Sequence, residues 1–397
     1  MTRIAYVCAD PGVPVFGHKG CSVHVQEMVR AFQRHGARVD LFATRADGTP
    51  PPELAGLRVH RLPAVRTAAP GIPAVHELNR ALAVGLTEAG PYDMVYERFS
   101  LWSAAAMEHA RAAGVPGLLE VNAPLIEEQA EHRALRDARG AAALAERVFA
   151  AATALLAVSA EVAAWLARYP AARGRVHLVP NGVDPERFRP DVPPAMPAPP
   201  GTFTVGFVGS MKRWHGLHRL IDAFALLHER VSASRLLMVG DGPEQAEAQA
   251  DLARRAGGLA EAAHFTGSAA ARDVPALLTS MDAAVAPYPD AKGFYFSPLK
   301  VYEYLASGRA VVASRVGQVA AMIEHEVNGL LCPPGDAAAL AAALERLHGD
   351  PPLRARLGQA ARASALEHQS WEARAATIMV LARVAPAQRR SGQAVEA

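Results

Sequence analysis

Toward the C-terminal end, the stretch Phe294-Tyr-Phe-Ser-Pro-Leu-Lys-Val-Tyr-Glu-Tyr-Leu-Ala-Ser-Gly308 sets a lysine and an acid three residues apart at the start of a helical pattern. Ser297 has an N-cap side chain, Pro298 suits a first helical position, and Gly308 suits the residue just past the helix end. Lys300 then falls in the first turn, where the helix dipole already disfavours a cation. A bound anion would remove the conflict, because free backbone N–H groups and the ammonium would share one negative guest. Glu303, one turn on and on the same face, could accept hydrogen bonds from sugar hydroxyls. The pair suggests a phosphate joined to a polyol. A surface ion pair on an amphipathic helix accounts for the same two residues, and both readings stay open here.

Basic residues also gather in Ser210-Met-Lys-Arg-Trp-His-Gly216, between a strand pattern at 202–209 and a helical one. Lys212, Arg213 and His215 at such a turn would suit a diphosphate; an exposed basic turn lidded by Trp214 is the alternative. Gly240 and Gly242, in Gly-Asp-Gly-Pro-Glu244, lack side chains and would let a flat group approach the backbone. In the first half, two strand patterns end in polar runs, Tyr96-Glu97-Arg98-Phe99-Ser100 and Glu120-Val-Asn122-Ala-Pro-Leu125. Buried polar groups are costly unless paired, so a ligand or a structural network is expected there. The loop from Asp10 to Gly20 contains no G-x-G-x-x-G, and its lysine comes one place late for a phosphate-binding P-loop. His24 follows on the next helix, either touching a ligand or structural.

Strand ends must hold these groups. Strand patterns at 4–9, 38–43, 93–97, 117–121, 153–158 and 176–179 alternate with helical ones such as 75–88 and 103–113. That alternation predicts a doubly wound parallel sheet. Residues 189–200, rich in proline, read as a linker. A second α/β set follows, with strands near 202–209, 235–239, 264–267, 282–287 and 310–313 and helices at 337–348 and 352–366. The expected organisation is a first domain at 1–188 completed by a crossover helix at 371–384, a second at 201–370, and a flexible tail at 385–397. Residues 124–151 read as one long helix in which Arg133, Arg136, Arg139 and Arg147 interleave with acids. This is a solvated face, or a membrane-surface helix if an acceptor is lipid-linked.

The chain has 397 residues, 51% hydrophobic and 20% charged, with a net charge of +2. That balance fits an ordinary globular protein and gives no footprint for nucleic acid. No apolar run reaches the roughly 18 residues a spanning helix needs, and the N-terminus has no signal-peptide layout. Cys8, Cys21 and Cys332 are odd in number and far apart, which points to a reducing cytoplasm without disulfides or zinc. No Asp-x-Asp occurs, which argues against a metal-bridged diphosphate. Neither a metal nor a cofactor is expected.

In the order of its motifs the chain resembles the family 4 glycosyltransferases (glycosyl transferases group 1), retaining enzymes of the GT-B fold. The resemblance rests on Pro180-Asn-Gly-Val-Asp184, Gly240-Asp-Gly-Pro-Glu244, the 294–308 stretch, 316–319 and 328–336; it is strongest over 176–336. It implies two Rossmann-like doubly wound domains facing across a cleft, with the donor mainly on the second and the acceptor on the first. The family often carries two glutamates eight residues apart. The second falls on Glu303, implying a ribose contact, and the first on Tyr295, near the donor sugar. Ser297, Leu299, Ser210, Arg213, His215, Gly240 and Gly242 complete the implied donor site. Where the family commonly has Gly-Arg and a lysine before the final glycine, this chain has Ser210 and His215 instead, so Lys212 or Arg213 would supply the charge. Lys300 and Lys212 would stabilise the leaving diphosphate. Asn122 stands where some relatives present a histidine to the donor sugar. Gly20, His24, Glu97, Arg98 and Glu120 fall on the acceptor side. The implied activity moves a sugar, without metal, from a UDP- or GDP-sugar to a hydroxyl of a sugar, glycolipid or small molecule. The setting would be cell-envelope polysaccharide or glycoconjugate biosynthesis, in the cytoplasm or at the inner membrane face. An epimerase of the same fold, or an inactive nucleotide-sugar-binding subunit, is the alternative.

Overall fold

The computed structural model describes residues 1–65, 71–132, 135–290 and 293–388; Arg133 and residues 389–397 lie outside these. The chain forms two compact units. The first comprises Met1–Asn181, the short segment Tyr295–Ser297 and the chain from Trp371; the second comprises Gly182–Phe294 and Pro298–Ser370. Residues 189–200 therefore belong to the second unit.

In the first unit, β1 (Arg3–Cys8), β2 (Arg38–Ala43), β3 (Arg58–Arg61), β4 (Met94–Arg98), β5 (Gly117–Val121), β6 (Ala154–Ala157) and β7 (Val176–Leu178) pair in the order β3-β2-β1-β4-β5-β6-β7. Every pairing is parallel. The central strands are apolar runs buried on both faces, as helix-covered parallel strands must be. β3 is the strand the apolar pattern does not reveal: it reads Arg-Val-His-Arg and lies at the sheet edge, half exposed. The order reverses between β1 and β4, so the loops leaving those strands diverge and open a crevice at their carboxyl ends.

The second unit repeats the plan with β8 (Phe203–Val208), β9 (Ser234–Val239), β10 (Ala263–Phe265), β11 (Ala283–Ala286), β12 (Ala310–Ser314) and β13 (Leu330–Cys332), ordered β10-β9-β8-β11-β12-β13. Here the reversal lies between β8 and β11. The Leu217–Arg230 helix buries Leu217, Leu220, Ile221, Phe224 and Leu227 against this sheet, as its spacing predicts.

Two helical expectations are corrected. Residues 124–151 form two helices, Leu125–His132 and Ala138–Ala151, because the Asp137 carboxylate accepts a hydrogen bond from Gly140 N–H and starts a new helix. The last helix runs Trp371–Gln388, so residues 385–388 are helical and not part of a loose tail.

Candidate functional site: a buried lysine at a strand reversal

The helix Leu299–Ala306 carries Lys300, Glu303 and Tyr304 of the 294–308 stretch. Its placement is fixed by Tyr304, whose buried hydroxyl accepts from Val208 N–H at 2.8 Å and lies 3.4 Å from the carbonyls of Val208 and Val285. One side chain thus ties the helix to the ends of β8 and β11. Arg362 fixes the other end by donating to the carbonyls of Ala306, Pro185 and Phe188. Gly308, at φ +66°, takes the left-handed turn that ends the helix.

Lys300 lies one helical turn before Tyr304, on the same face. It is 9% exposed, and its Nζ has no hydrogen-bond partner. The ammonium sits 3.9 Å from the centre of the Phe207 ring and 5.7 Å from that of Tyr288, residues at the ends of β8 and β11. Burial pushes Lys300 down to about 7, and the nearby Glu303 carboxylate opposes the shift. Gly209 makes room for it. A Cβ there would stand 2.8 Å from Nζ, on a backbone at φ +140° that favours glycine. An unpaired, mostly desolvated cation at a helix start, over the crevice of a parallel sheet, has the makings of an anion site.

The neighbouring loop supports that lysine. His215 Nδ1 contacts the Ser210 carbonyl, and its ring lies about 6 Å from both Phe207 and Tyr288. Burial pushes His215 down to about 3, with Lys300 and Lys212 adding to the shift and the Ser210 contact opposing it. The imidazole is therefore neutral between two lysines. Lys212 extends over the exposed Trp214 ring, with Nζ 4.7 Å from its centre, while Ser210 and Arg213 are exposed.

Several expected roles change. Ser297 is not the N-cap; that position is Pro298, which makes no side-chain cap bond. Ser297 Oγ instead accepts from Asn181 N–H at 3.2 Å, and its carbonyl accepts from Asn181 Nδ2 at 2.6 Å, all within the first unit. Leu299 is the first helical residue. Gly240 and Gly242 are partly buried, each with another loop's backbone packed against it. A Cβ at either would clash with the carbonyl of Gly209 or Met211, so these glycines pack the two loops together. Met211 N–H donates to Asp241 O at 2.7 Å and Glu244 N–H to Met211 O at 3.1 Å. Tyr295 donates to Glu128 at 2.8 Å, which commits its hydroxyl to the first unit.

In the first unit the structure divides the expected acceptor-side residues. Adjacent strand residues face opposite sides of a sheet. Arg98, Glu120, His24 and Asn122 come together on one side. Asn122 Nδ2 donates to Glu120 at 2.7 Å, Arg98 lies 3.4 Å from it, and Tyr96 OH donates to it. His24 Nε2 stands 3.0 Å from Glu120 but outside hydrogen-bond geometry, and burial pushes this histidine down to about 4. Glu97 points to the other face, where Ser103 donates to it; its second oxygen has no partner, and burial pushes it up to about 8. Gly20 begins the Gly20–Arg34 helix and is exposed. The sequence reading missed Phe207 and Tyr288, the walls around Lys300, and Tyr6, whose unpartnered buried hydroxyl lies near Glu120.

Two parallel, doubly wound sheets with a buried cation at a strand reversal define a Rossmann-like protein of the GT-B fold. Residues 202–350 match the family model described as glycosyl transferases group 1, and residues 18–187 match glycosyltransferase family 4. The D-inositol 3-phosphate glycosyltransferase 1 of Catenulispora acidiphila is 32% identical over 91% of this chain and 88% of its own. The 2-deoxystreptamine glucosyltransferase of Streptomyces kanamyceticus is 28% identical over 83% of this chain and 89% of its own. The fold is shared with sucrose-phosphate synthase from Thermosynechococcus elongatus (TM-score 0.72, 23% identity, 98% of this chain and 100% of that one). It is shared also with Anabaena HepE in complex with UDP and glucose (TM-score 0.69, 21% identity, 96% and 99%). The chain belongs to the family 4 glycosyltransferases. No helix among the described residues is long and apolar enough to cross a membrane.

Proposed function

We propose that the protein is a retaining glycosyltransferase that takes its sugar from a nucleoside diphosphate sugar, with uridine the first base to test, and delivers it to a polyol hydroxyl. The observation that carries this reading is Lys300: a buried ammonium without a hydrogen-bond partner, at the start of a helix, beside a glycine that leaves it room. A diphosphate there would meet the ammonium and the first backbone N–H groups of the Leu299–Ala306 helix, while Glu303 receives ribose hydroxyls. The structure of HepE with UDP and the cyclitol acceptors in the names of the two relatives support the choice of donor and acceptor class.

In the reaction so read, the bond from the anomeric carbon to the diphosphate oxygen breaks and a bond to the acceptor oxygen forms on the same face. The acceptor proton goes to the departing diphosphate. Charge building on that diphosphate is met by Lys300, held in place before the reaction starts. Binding an anion draws a proton onto Lys300, because the partner it lacks is then supplied. On this reading the fixed cation does the work of a divalent metal.

Thermal-shift screening against UDP-, GDP-, ADP- and dTDP-sugars tests the donor, since only a ligand bound to the native state raises Tm. The expected result is a rise with one base that survives chelator and disappears in Lys300→Met. No rise with any nucleotide sugar, or a rise unchanged in that variant, would sink the reading. Product analysis with the donor alone distinguishes an epimerase, which would yield a new sugar isomer without any acceptor.

A further inference from the structure

Phe207 and Tyr288 wall two basic groups, not one. The Lys300 ammonium lies 3.9 and 5.7 Å from their ring centres, and the His215 imidazole 6.0 and 5.9 Å. His215 ends the short turn Arg213–His215, and Gly216 holds that turn down. At its φ of +69°, a Cβ would stand 1.9 Å from the Pro287 carbonyl oxygen. The ring is also oriented. Its Nδ1 meets the Ser210 carbonyl, which can only accept, so Nδ1 carries the hydrogen and the neutral ring keeps a lone pair on Nε2. Among the described residues Nε2 makes no hydrogen bond, and no carboxylate pairs with the ring. The ionisable groups around it are Lys300, with Glu303 one turn further along the Leu299–Ala306 helix, Lys212 on the ring's own loop, and the Tyr288 hydroxyl, which burial keeps neutral. Arg213, two residues earlier, is exposed. The imidazole thus has two cations beside it and no anion.

We infer that His215 is a proton-coupled ligand for the departing nucleoside diphosphate, neutral in the free protein and protonated when that anion arrives. Burial and two ammonium groups oppose a charge on the ring. A bound anion compensates both ammonium groups and accepts from Nε2, so it reverses the lysine contribution. The charge of the guest sets how far. In a nucleotide sugar each phosphate has one ionisable oxygen. Once the sugar has left, the outer phosphate has two, and its charge rises toward −2. The product therefore draws a proton onto His215 more strongly than the donor does. Binding that takes up a proton weakens as pH rises, so a higher pH eases product release and leaves donor binding nearly unchanged. The inference rests on the proposed function for the identity of the guest; the proton coupling stands on the cluster of basic groups.

The test compares the full wild-type chain with His215→Gln, whose amide can still donate to the Ser210 carbonyl, using UDP, UDP-glucose and inorganic pyrophosphate. Between about pH 6 and 8, calorimetry should show UDP affinity falling about 10-fold more in wild type than in the variant, the factor for one coupled proton. Lys300 and the ligand's own ionisation act in both proteins and cancel in that comparison. For UDP-glucose the excess should be about 3-fold or less. Pyrophosphate should behave as UDP does. In wild type alone, imidazole NMR shifts should move from the Nδ1–H tautomer to the imidazolium when UDP is added near pH 6, so the inference can fail even if the variant does not fold. A ring that stays neutral with UDP bound overturns it, as does an equal fall in both proteins, a larger excess with UDP-glucose, or binding of none of the three. Pyrophosphate binding with this pH dependence, in a chain that binds no nucleotide sugar, keeps the proton coupling and loses the proposed function. Transfer from a nucleotide sugar with product inhibition that ignores His215 does the reverse.

Discussion

The two sheets are built on one plan, yet their buried ionisable groups are treated differently. In the first unit, the Glu120 carboxylate accepts from Tyr96, Arg98 and Asn122, so its charge is compensated from within. In the second, Lys300 has aromatic rings for neighbours and no acceptor. A cation over a ring recovers part of what desolvation removes, and only part. Position in the fold therefore does not decide which strand end is a ligand site. What decides is whether the charge placed there is complete without a guest. The first cluster should respond to mutation through stability, and the second through binding.

The largest effect expected is at Lys300. Charge reversal in Lys300→Glu should lower kcat/KM by about a thousandfold or more, the scale of losing a preorganised charge at a leaving group. Unfolding measured by circular dichroism should stay cooperative. Lys300→Met should also lose the nucleotide-induced rise in Tm, while the free protein becomes as stable as wild type or more so, since an uncompensated buried charge has been removed. Retained transfer in Lys300→Glu would break the contrast between the units.

Glu120→Ala should show the opposite pattern. It strands the Arg98 guanidinium, the Tyr96 hydroxyl and the Asn122 amide, at a cost of about 3–5 kcal/mol in chemical denaturation. The rise in Tm on adding nucleotide should persist in whatever fraction remains folded.

The pH dependence of stability sharpens the same contrast, with opposite signs. Lys300 is lowered from 10.5 to about 7, so between those values the unfolded chain binds the extra proton and stability rises with pH. Glu97 is raised from 4.5 to about 8, so across that window the native state holds the extra proton and stability falls as pH rises. Each contribution is on the order of a few kcal/mol. Lys300→Met should flatten the upper window and Glu97→Gln the lower one. Urea midpoints measured from pH 5 to 10 would show whether each slope belongs to its residue.

The sequence makes the sheets plain because buried parallel strands are apolar runs, and it hides β3 because that edge strand has a polar residue at each end. Lys300 stands out as a cation at the wrong end of a helix, a conflict visible without coordinates. Its aromatic walls are not visible, because Phe207 and Tyr288 reach it only through the folding of β8 and β11. Ser297 misleads for a related reason. Its local position suits a cap, but its hydroxyl is claimed by Asn181, 116 residues away in sequence. Gly240 and Gly242 are special, as the motif suggests, and the structure adds that another loop packs closely against each. The separation of Glu97 from Arg98 was available in principle, since alternation along β4 puts neighbours on opposite faces.

The smallest effect concerns Tyr295, which stands where the family often has a glutamate. Its hydroxyl meets the Glu128 carboxylate at 2.8 Å, a hydrogen bond to a charged group on a partly exposed surface. Tyr295→Phe should cost about 1 kcal/mol of stability. Tyr295→Glu should cost more, because it replaces a donor with a second carboxylate and sets like charges together. Adding Glu128→Gln should restore much of that loss, since an amide can donate where the carboxylate could only repel. A double-mutant cycle in urea reads the coupling directly. Coupling of opposite sign in the two pairs, favourable for Tyr295 with Glu128 and unfavourable for glutamate with Glu128, would show why a neutral donor suits this position. Independent effects at the two sites would mean that the hydroxyl contact contributes little, and that Tyr295 is held by packing against the first unit's core alone.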